Sequence, residues 1–379
     1  VTRPMRVVHV ITTLTTGGAE RQLELLVDRS GARSTTVCLY EGGPVAESMR
    51  RRGHRVDVLG MAGWRKPLAI ARLARRLRRA RPDVVHVHLL AAQLWGIPAA
   101  RLAGVPVVVS TEHSLMADSI EGRPLTDWLH RTYRVLERLS DHTVAVSATT
   151  ADRLVAWGVP RERITVVDNG IDLEAVAPRP EARARVRAEL GVDDGTTVLV
   201  TVGRLDPVKR VDEVLEAVAP RLAAGGHVLV VAGAGSLRPE LEARAEQLGV
   251  APAVRWLGAR DDVPAVLAAA DVLVSASRDE TFGLAVLEAV TGGLPSVFVE
   301  CPALEELGEL PEGVERAAGG GPAALRAALD ALSARGLHRR SAPAAVLERY
   351  DARRTAAAVD AVYAEQLAVH HRGRARRTT

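Results

Sequence analysis

Cysteine is nearly absent from this chain of 379 residues: it has only Cys38 and Cys301, far apart and in no C-x-x-C pair. Zinc ribbons, redox dithiols and disulfide scaffolds are thereby excluded, and a reducing, cytoplasmic setting is expected. Long apolar runs are missing as well. None reaches the roughly 18 to 20 residues of a membrane-spanning helix, and the first apolar stretch, Val7 to Ile11, is too short for a signal peptide. No cluster of His, Asp and Glu stands at metal-ligand spacing, so no metal site is expected. Nor is there a collagen-like or low-complexity bias. With 47% hydrophobic and 25% charged residues the chain has the make-up of a folded protein, and its length implies two compact units.

Basic residues outnumber acidic ones by 50 to 46, but unevenly. Residues 65–81 hold Arg65, Lys66, Arg72, Arg75, Arg76, Arg78, Arg79 and Arg81 and no acid, and four more arginines stand between Arg372 and Arg377. The remainder is net negative, which argues against nucleic-acid binding over a broad face. From Pro67 to Ala80, Ile70, Leu73, Ala74 and Leu77 share one helical face, with Arg72, Arg75, Arg76 and Arg79 largely elsewhere. Such a helix packs its apolar stripe on a sheet. Its basic side is left to water, the commoner case, or to weak peripheral contact with an anionic membrane.

Short β-branched runs alternate with helical patterns in two series. The first is Val7–Ile11, Thr35–Leu39, Arg55–Leu59, Asp83–His88, Pro106–Thr111 and Thr143–Ser147; the second is Thr197–Val202, His227–Ala232, Ala253–Leu257, Asp271–Ser275 and Pro295–Val299. Strands separated by helices imply parallel sheets covered on both faces. The expected fold is α/β, with two facing, Rossmann-like, doubly wound parallel-sheet domains and ligands in the cleft beyond the strands' carboxyl ends. The expected spans are 1–175 and 176–345. A last helical pattern over 346–369 is expected to return to the first domain, and the basic tail 370–379 to be disordered.

Three strand-to-loop junctions carry polar or glycine residues that an ordinary turn does not require. After the first strand, Gly17 and Gly18 precede an amphipathic helix, a backbone that can approach an anion closely, although a plain strand-to-helix turn has the same composition. The dinucleotide fingerprint is not there. Gly233 and Gly235 begin one, but Arg238 occupies the third glycine's place. Past Thr197–Val202 come Arg204 and Lys209, a bidentate cation and a movable point charge suited to a diphosphate, or else two solvated basic residues, or an ion pair with Asp206 or Asp212. Past Asp271–Ser275 come Glu280, Phe282 and Gly283. Glu288 follows within an apolar helix, where a carboxylate needs a hydrogen-bond donor such as a sugar hydroxyl.

Taken in order, the elements GGAE near the start, DVVHVH at 83–88, TEHS at 111–114, VVDNGID at 166–172, GRLDPVK at 203–209 and AADVLVSASRDETFGLAVLEA at 270–289 resemble family 4 of the retaining glycosyltransferases, over most of the chain. The resemblance implies two facing Rossmann-like domains (the GT-B architecture), a donor gripped by the C-terminal one and an acceptor by the N-terminal one. Arg204 and Lys209 would hold the diphosphate, and Glu288 the ribose hydroxyls. Glu280 and the amides of Phe282, Gly283 and Leu284 would meet the sugar, with Gly17 and Gly18 closing over the phosphates. Gly258 and Arg260 belong to the loop that would read the base. His113 matches the family's histidine near the donor sugar. His86 and His88, on one strand, are expected on opposite faces, at least one of them structural, and neither is expected to bind a metal.

The implied reaction moves a hexose or N-acetylhexosamine from a nucleoside-diphosphate sugar, a UDP-sugar on family frequency, to a hydroxyl of a small-molecule, lipid-linked or polysaccharide acceptor, with no metal and no further cofactor. Two readings stand beside it: a nucleotide-sugar epimerase of the same fold, and a non-catalytic nucleotide-sugar-binding protein. One departure from the family pattern is plain. After the strand at 295–299 the chain reads Glu300, Cys301, Pro302 where Gly-Gly is common, and Pro302 has no amide proton to offer a ligand.

Overall fold

The computed structural model describes residues 3–61 and 66–378, which leaves Arg65 outside. Two compact units emerge, one from residues 1–170 and 350–379, the other from 171–349.

The first unit is built on β1 (Arg6–Ile11), β2 (Arg33–Cys38), β3 (Val56–Val58), β4 (Val84–His88), β5 (Val107–Glu112), the short pair β6 (Ser119–Ile120) and β7 (Arg123–Pro124), β8 (His142–Ala145) and β9 (Ile164–Val166). Its helices are α1 (Gly18–Arg29), α2 (Pro44–Arg51), α3 (Lys66–Ala80), α4 (Leu90–Ala103), α5 (Asp127–Leu139) and α6 (Ala148–Ala156). The seven long-range strands form one parallel sheet ordered β3-β2-β1-β4-β5-β8-β9. Runs such as VVHVH bury both faces, as a strand covered by helices above and below must. On one face Val8, Val10, Val85, Val87 and Val108 pack under α3, α4 and α5 through Leu73, Leu77, Ile97 and Leu136.

The second unit has β10 (Thr197–Val202), β11 (His227–Ala232), β12 (Val254–Gly258), β13 (Val272–Ser275), β14 (Ser296–Phe298) and β15 (Val314–Arg316), parallel in the order β12-β11-β10-β13-β14-β15. Its helices are α7 (Leu173–Val176), α8 (Pro180–Leu190), α9 (Val211–Ala223), α10 (Arg238–Gln247), α11 (Val263–Ala269), α12 (Leu284–Thr291), α13 (Pro302–Glu305), α14 (Gly321–Ala334) and α15 (Ala344–Arg349). Both sheets reverse their winding beside the first strand of each unit. Loops leaving the strands at that point splay apart and open a crevice, the usual ligand position in such sheets. In the second unit these are the loops after β10 and β13.

The last helix, α16 (Ala352–Thr378), lies on the other face of the first sheet, where Ala356, Val359, Val362 and Tyr363 cover Val7, Val84, Val107, Val109 and Val144. Its start is pinned by Gly170. A side chain there would bring its Cβ within 2.5 Å of Ala352 Cα, and the Gln22 amide both donates to Gly170 O (2.8 Å) and accepts from Gly170 N (2.9 Å). The tail expected to be disordered from residue 370 instead continues α16 as helix. Packing nucleates the helix upstream, and each further Arg or Ala extends it at little cost. Among the described residues no helix is long and apolar enough to cross a membrane.

Candidate functional site

In the second unit, the chain leaves β10 at Gly203 and turns through Arg204 to Lys209 before α9 begins. The loop is held from below by the one after β11: Leu205 N–H donates to Ala234 O at 2.9 Å. The two backbones meet so closely that a Cβ at Gly233 would lie 1.7 Å from Gly203 O, and one at Gly235 2.2 Å from Leu205 O. These two glycines therefore serve close loop contact, without any fingerprint role. We expect Gly233→Ala to cost about 3 kcal/mol, the upper part of the usual overpacking range, and to lower the melting temperature of this unit by about 6 to 12 °C. An unchanged melting curve would show that the loops do not meet.

Arg204 is 60% exposed at its side chain and pairs with Asp206 at 2.9 Å. Lys209 is more enclosed. Its stem lies over Gly203, and its Nζ donates to Glu280 Oε1 at 2.5 Å, with the two side chains 23% and 14% exposed. The pair ties the loop after β10 to the loop after β13. A second tie runs through Arg278, whose N–H donates to Val208 O (3.2 Å) and whose guanidinium pairs with Glu213 (3.1 Å). Gly203, Lys209 and Ser277 line a small cavity there. Lys209 is also one of only two lysines in a chain that otherwise draws its positive charge from arginine, a compositional signal that sequence reading passed over.

After β13 the backbone at Asp279 is left-handed (φ 59°), and its N–H donates to the Glu300 carboxylate. Gly283 caps α12 with φ 90°, and a Cβ on it would strike Cys301 Sγ at 2.5 Å, so glycine is required there twice over. Burial pushes the Cys301 thiol well above its ordinary range. The unusual Glu300-Cys301-Pro302 segment thus becomes intelligible. Glu300 braces the turn carrying Glu280, Cys301 packs under Gly283, and Pro302 opens α13 at the position where a missing amide proton costs nothing. Phe282 is buried, Leu284 half-buried, and Glu288 half-buried one turn further along α12. At the end of β12, Gly258 turns with φ 67°. Arg260 beyond it is clamped by Asp262 (2.7 Å) and Glu189 (2.5 Å), partners that hold its proton more tightly than usual.

In the first unit, Gly17 caps α1 in an extended conformation. Glu20 folds back over it, its Oε2 only 2.3 Å from where a Cβ on Gly17 would stand, and Thr13 Oγ1 donates to Glu20 Oε1 at 3.0 Å. A carboxylate in the first turn suits the helix dipole, so Glu20 belongs to this loop beside Gly17 and Gly18. The carboxyl end of β5 holds another carboxylate missed in the sequence. Glu112 accepts from Ser114 N–H (3.0 Å), Tyr133 OH (3.0 Å) and Gln93 (3.3 Å), and burial pushes its carboxyl up to about 7.

His86 and His88 do not lie on opposite faces. Residues two apart on a strand point the same way, and their rings stand 4.0 Å apart, centroid to centroid. His9, opposite His86 in register, joins them, and His113 follows on from β5. One ligand atom from each of His9, His86 and His88 lies within 4.8 Å of the others, close enough for a metal. Their nitrogens, however, are spent on one another and on hydroxyls. His9 Nδ1 meets His88 Nε2 (3.2 Å), His88 Nδ1 meets His113 Nε2 (3.2 Å), and His86 sits between Tyr363 OH and Thr111 Oγ1 at 2.6 Å each. Burial lowers all four rings: His9 to about 3, His113 to about 4, His86 and His88 well below the usual value.

Comparison with known proteins bears on both units. Residues 16–175 match the family model described as Glycosyltransferase Family 4, and residues 196–334 the one described as Glycosyl transferases group 1. A GDP-mannose-dependent alpha-mannosyltransferase of Mycobacterium tuberculosis is 36% identical over 60% of this chain and 57% of its own length. An Escherichia coli UDP-Gal:alpha-D-GlcNAc-diphosphoundecaprenol alpha-1,3-galactosyltransferase is 29% identical over 59% of each. The chain thus spans a little over half the length of these curated relatives. Among solved structures, Anabaena HepE in complex with UDP-glucose is similar in fold, with a TM-score of 0.81 at 20% identity, covering 96% of this chain and all of its own.

Proposed function

The chain belongs to glycosyltransferase family 4, and from that membership we propose that it is a retaining, metal-independent hexosyltransferase using a nucleoside-diphosphate sugar. The observation that carries the reading is the Lys209–Glu280 pair, set with Arg204 on the two loops at the switch point of the second sheet. A departing diphosphate needs cations placed in advance, and a lysine already held by a carboxylate is so placed. Arg204 and Lys209 are assigned to the diphosphate, Glu288 to ribose hydroxyls, and Glu280 with the amides of Phe282, Gly283 and Leu284 to the sugar. Gly258 and Arg260 are assigned to the base. On the first unit, Gly17 and Gly18 are assigned to phosphate and His113 to the donor sugar.

In the proposed step the acceptor oxygen bonds to the anomeric carbon on the face from which the carbon–oxygen bond to phosphate breaks. The acceptor's proton passes to the departing phosphate oxygen, leaving a glycoside and a nucleoside diphosphate. Positioning and charge stabilisation account for the rate, without a protein base. Uridine is the proposed base. Support comes from relatives named for UDP-linked donors, whereas the mycobacterial one is named for GDP-mannose.

Thermal shift tests this reading. At a hundredfold excess over its dissociation constant a ligand adds about 2.7 kcal/mol, so UDP or UDP-glucose is expected to raise the melting temperature by about 5 to 10 °C. A shift with GDP alone would reassign the base, and none with any nucleoside diphosphate would end the proposal. Incubation with donor and no acceptor separates transfer from epimerisation, since only the latter returns an altered sugar.

The proposal includes a lipid-linked acceptor among its options, and peripheral contact with an anionic membrane belongs with it. Arg72, Arg75 and Arg79 on α3 and Arg131, Arg134 and Arg138 on α5 are exposed, as are Trp128 (69%) and Val135 (55%) on α5 and Leu102 (59%) on α4. Vesicles with 30% phosphatidylglycerol are expected to bind the chain at low salt and phosphatidylcholine vesicles not to. Charge reversal at Arg131 and Arg134 together is expected to weaken binding tenfold or more, at about 1 kcal/mol per arginine removed. Equal binding to both vesicle types would remove the membrane from the reading.

A further inference from the structure

Glu213 stands in the first turn of α9, where a carboxylate suits the helix dipole. Its side chain is only 12% exposed, and both of its oxygens are used twice. Oε1 accepts from Arg210 Nη1 (3.0 Å) and Arg278 Nη2 (3.2 Å); Oε2 accepts from Arg278 Nη2 (3.1 Å) and from the Gly321 N–H (3.1 Å). The donors come from the loops after β10, β13 and β15, so one carboxylate gathers three loops at the carboxyl end of the second sheet. Gly321 opens α14, and the first amides of a helix have no partner within it. The approach is close because Gly320 is left-handed (φ 67°), and a Cβ on it would stand 2.6 Å from Arg278 Nη2. Among the described residues Glu213 is the one partner of the Arg278 guanidinium, whose Nε is buried without any.

Arg210 follows Lys209 directly, and Arg278 stands two residues before Glu280. The Lys209–Glu280 pair joins these two loops only until a donor arrives. A diphosphate that takes the lysine's charge, and a sugar that takes the carboxylate, draw the pair apart. What then keeps the loops in register is the Glu213 carboxylate, together with the Arg278 N–H on Val208 O (3.2 Å). We propose that Glu213 is a positioning residue for sugar transfer: it holds the loops of Lys209 and Glu280 at a fixed spacing while those two side chains turn to the donor. This rests on the assignment of Lys209 to the diphosphate and Glu280 to the sugar. Glu213 acts through the backbone of both loops. Its removal takes away no cation that would bind the donor, but it frees the geometry on which charge stabilisation in the transition state depends, so the loss falls on kcat and spares KM.

Acetylation of the full chain by N-hydroxysuccinimidyl acetate, followed by mass spectrometry, reads Lys209 directly. Lys66 of the first unit is the internal reference, since the chain has no other lysine. In Glu213→Ala the rate at Lys209 relative to Lys66 is expected to rise about two- to fivefold, the factor that goes with losing an ion pair of ordinary strength. Turnover per folded molecule is expected to fall about 10- to 100-fold, with KM unchanged within about twofold. Gly320→Ala removes no charge but drives Arg278 off Glu213, and is expected to move labelling and kcat in the same directions. Should Glu213→Ala fail to fold, Glu213→Gln, of the same shape without the charge, takes its place. A Lys209 rate unmoved in Gly320→Ala would trace the effect to lost charge alone. A kcat that returns to the wild-type value once counted per folded molecule would make Glu213 a matter of stability. Either result overturns the proposal. A wild-type chain that turns over no donor would sink the transfer reading, while the labelling, which needs no substrate, would still measure the anchoring.

Discussion

Acidification from pH 7 to pH 5 is expected to unfold the first unit well before the second. The histidines are the reason. In the folded unit His9 and His113 titrate near 3 and 4, and His86 and His88 well below their ordinary value, all through burial. In the unfolded chain all four titrate near 6.5. Between 6.5 and those lower values the unfolded state binds protons that the folded state refuses, so stability falls as pH falls. Each histidine contributes about 1.4 kcal/mol per pH unit in that window. Glu112 acts in the opposite sense. Its carboxyl titrates near 7 when folded and near 4.5 when unfolded, so between those values the folded state takes up the extra proton and gains stability on acidification. It offsets one histidine of the four. Three net histidines over the 1.5 units from pH 6.5 to 5 remove about 6 kcal/mol, enough to unfold a unit whose stability stands at the lower end of the usual 5 to 15 kcal/mol. Melting curves from pH 7.5 to 5 check this, and a flat transition temperature for the first unit would contradict it. Glu112→Gln, which mimics the protonated carboxyl, is expected to steepen the loss.

Arg204→Ala and Lys209→Ala are each expected to lower turnover by roughly 10² to 10³ fold, the usual loss on removing one preorganised charge-stabilising group. The two variants should differ in stability. Arg204 is largely exposed, and its pair with Asp206 is a surface contact worth little, so its loss should leave the melting curve almost unmoved. Removing Lys209 breaks its ion pair with Glu280, a carboxylate only 14% exposed, and should destabilise the second unit as well. Lys209→Arg is not expected to restore the rate, because a planar fork cannot take the place of a point charge threaded over Gly203. Steady-state kinetics on the donor, with melting curves beside them, separate these outcomes. Wild-type turnover in both alanine variants would contradict the site.

The doubly wound α/β fold was legible because parallel strands buried on both faces must be written as near-continuous apolar runs. Thr197–Val202 and His227–Ala232 stand where the sequence places them. β9 and β15 were not legible. Each is three residues at a sheet edge, with too few apolar positions to stand out. The cations after β10 and the glutamate after β13 could be read individually, but not their pairing, since 71 residues separate Lys209 from Glu280. What Glu20, Glu112 and Glu300 do was not legible, because each acts on backbone or on residues that only folding brings near. The misplacement of His86 and His88 has a simpler cause: the two-residue period of a strand puts both on one side.

The order of elements along the chain sets a schedule for biosynthesis. The first sheet leaves the ribosome early, with Val7, Val84, Val107, Val109 and Val144 on a face that α16 covers only after residues 171–349 have been translated. Through that interval a nascent polypeptide displays an apolar plate that α1 covers only in part, through Leu26. Domains made first commonly fold first, but here the half made second closes sooner, and the half begun first waits for it. Cellular yield should therefore depend on chaperones that bind the growing chain more heavily than its final stability would imply.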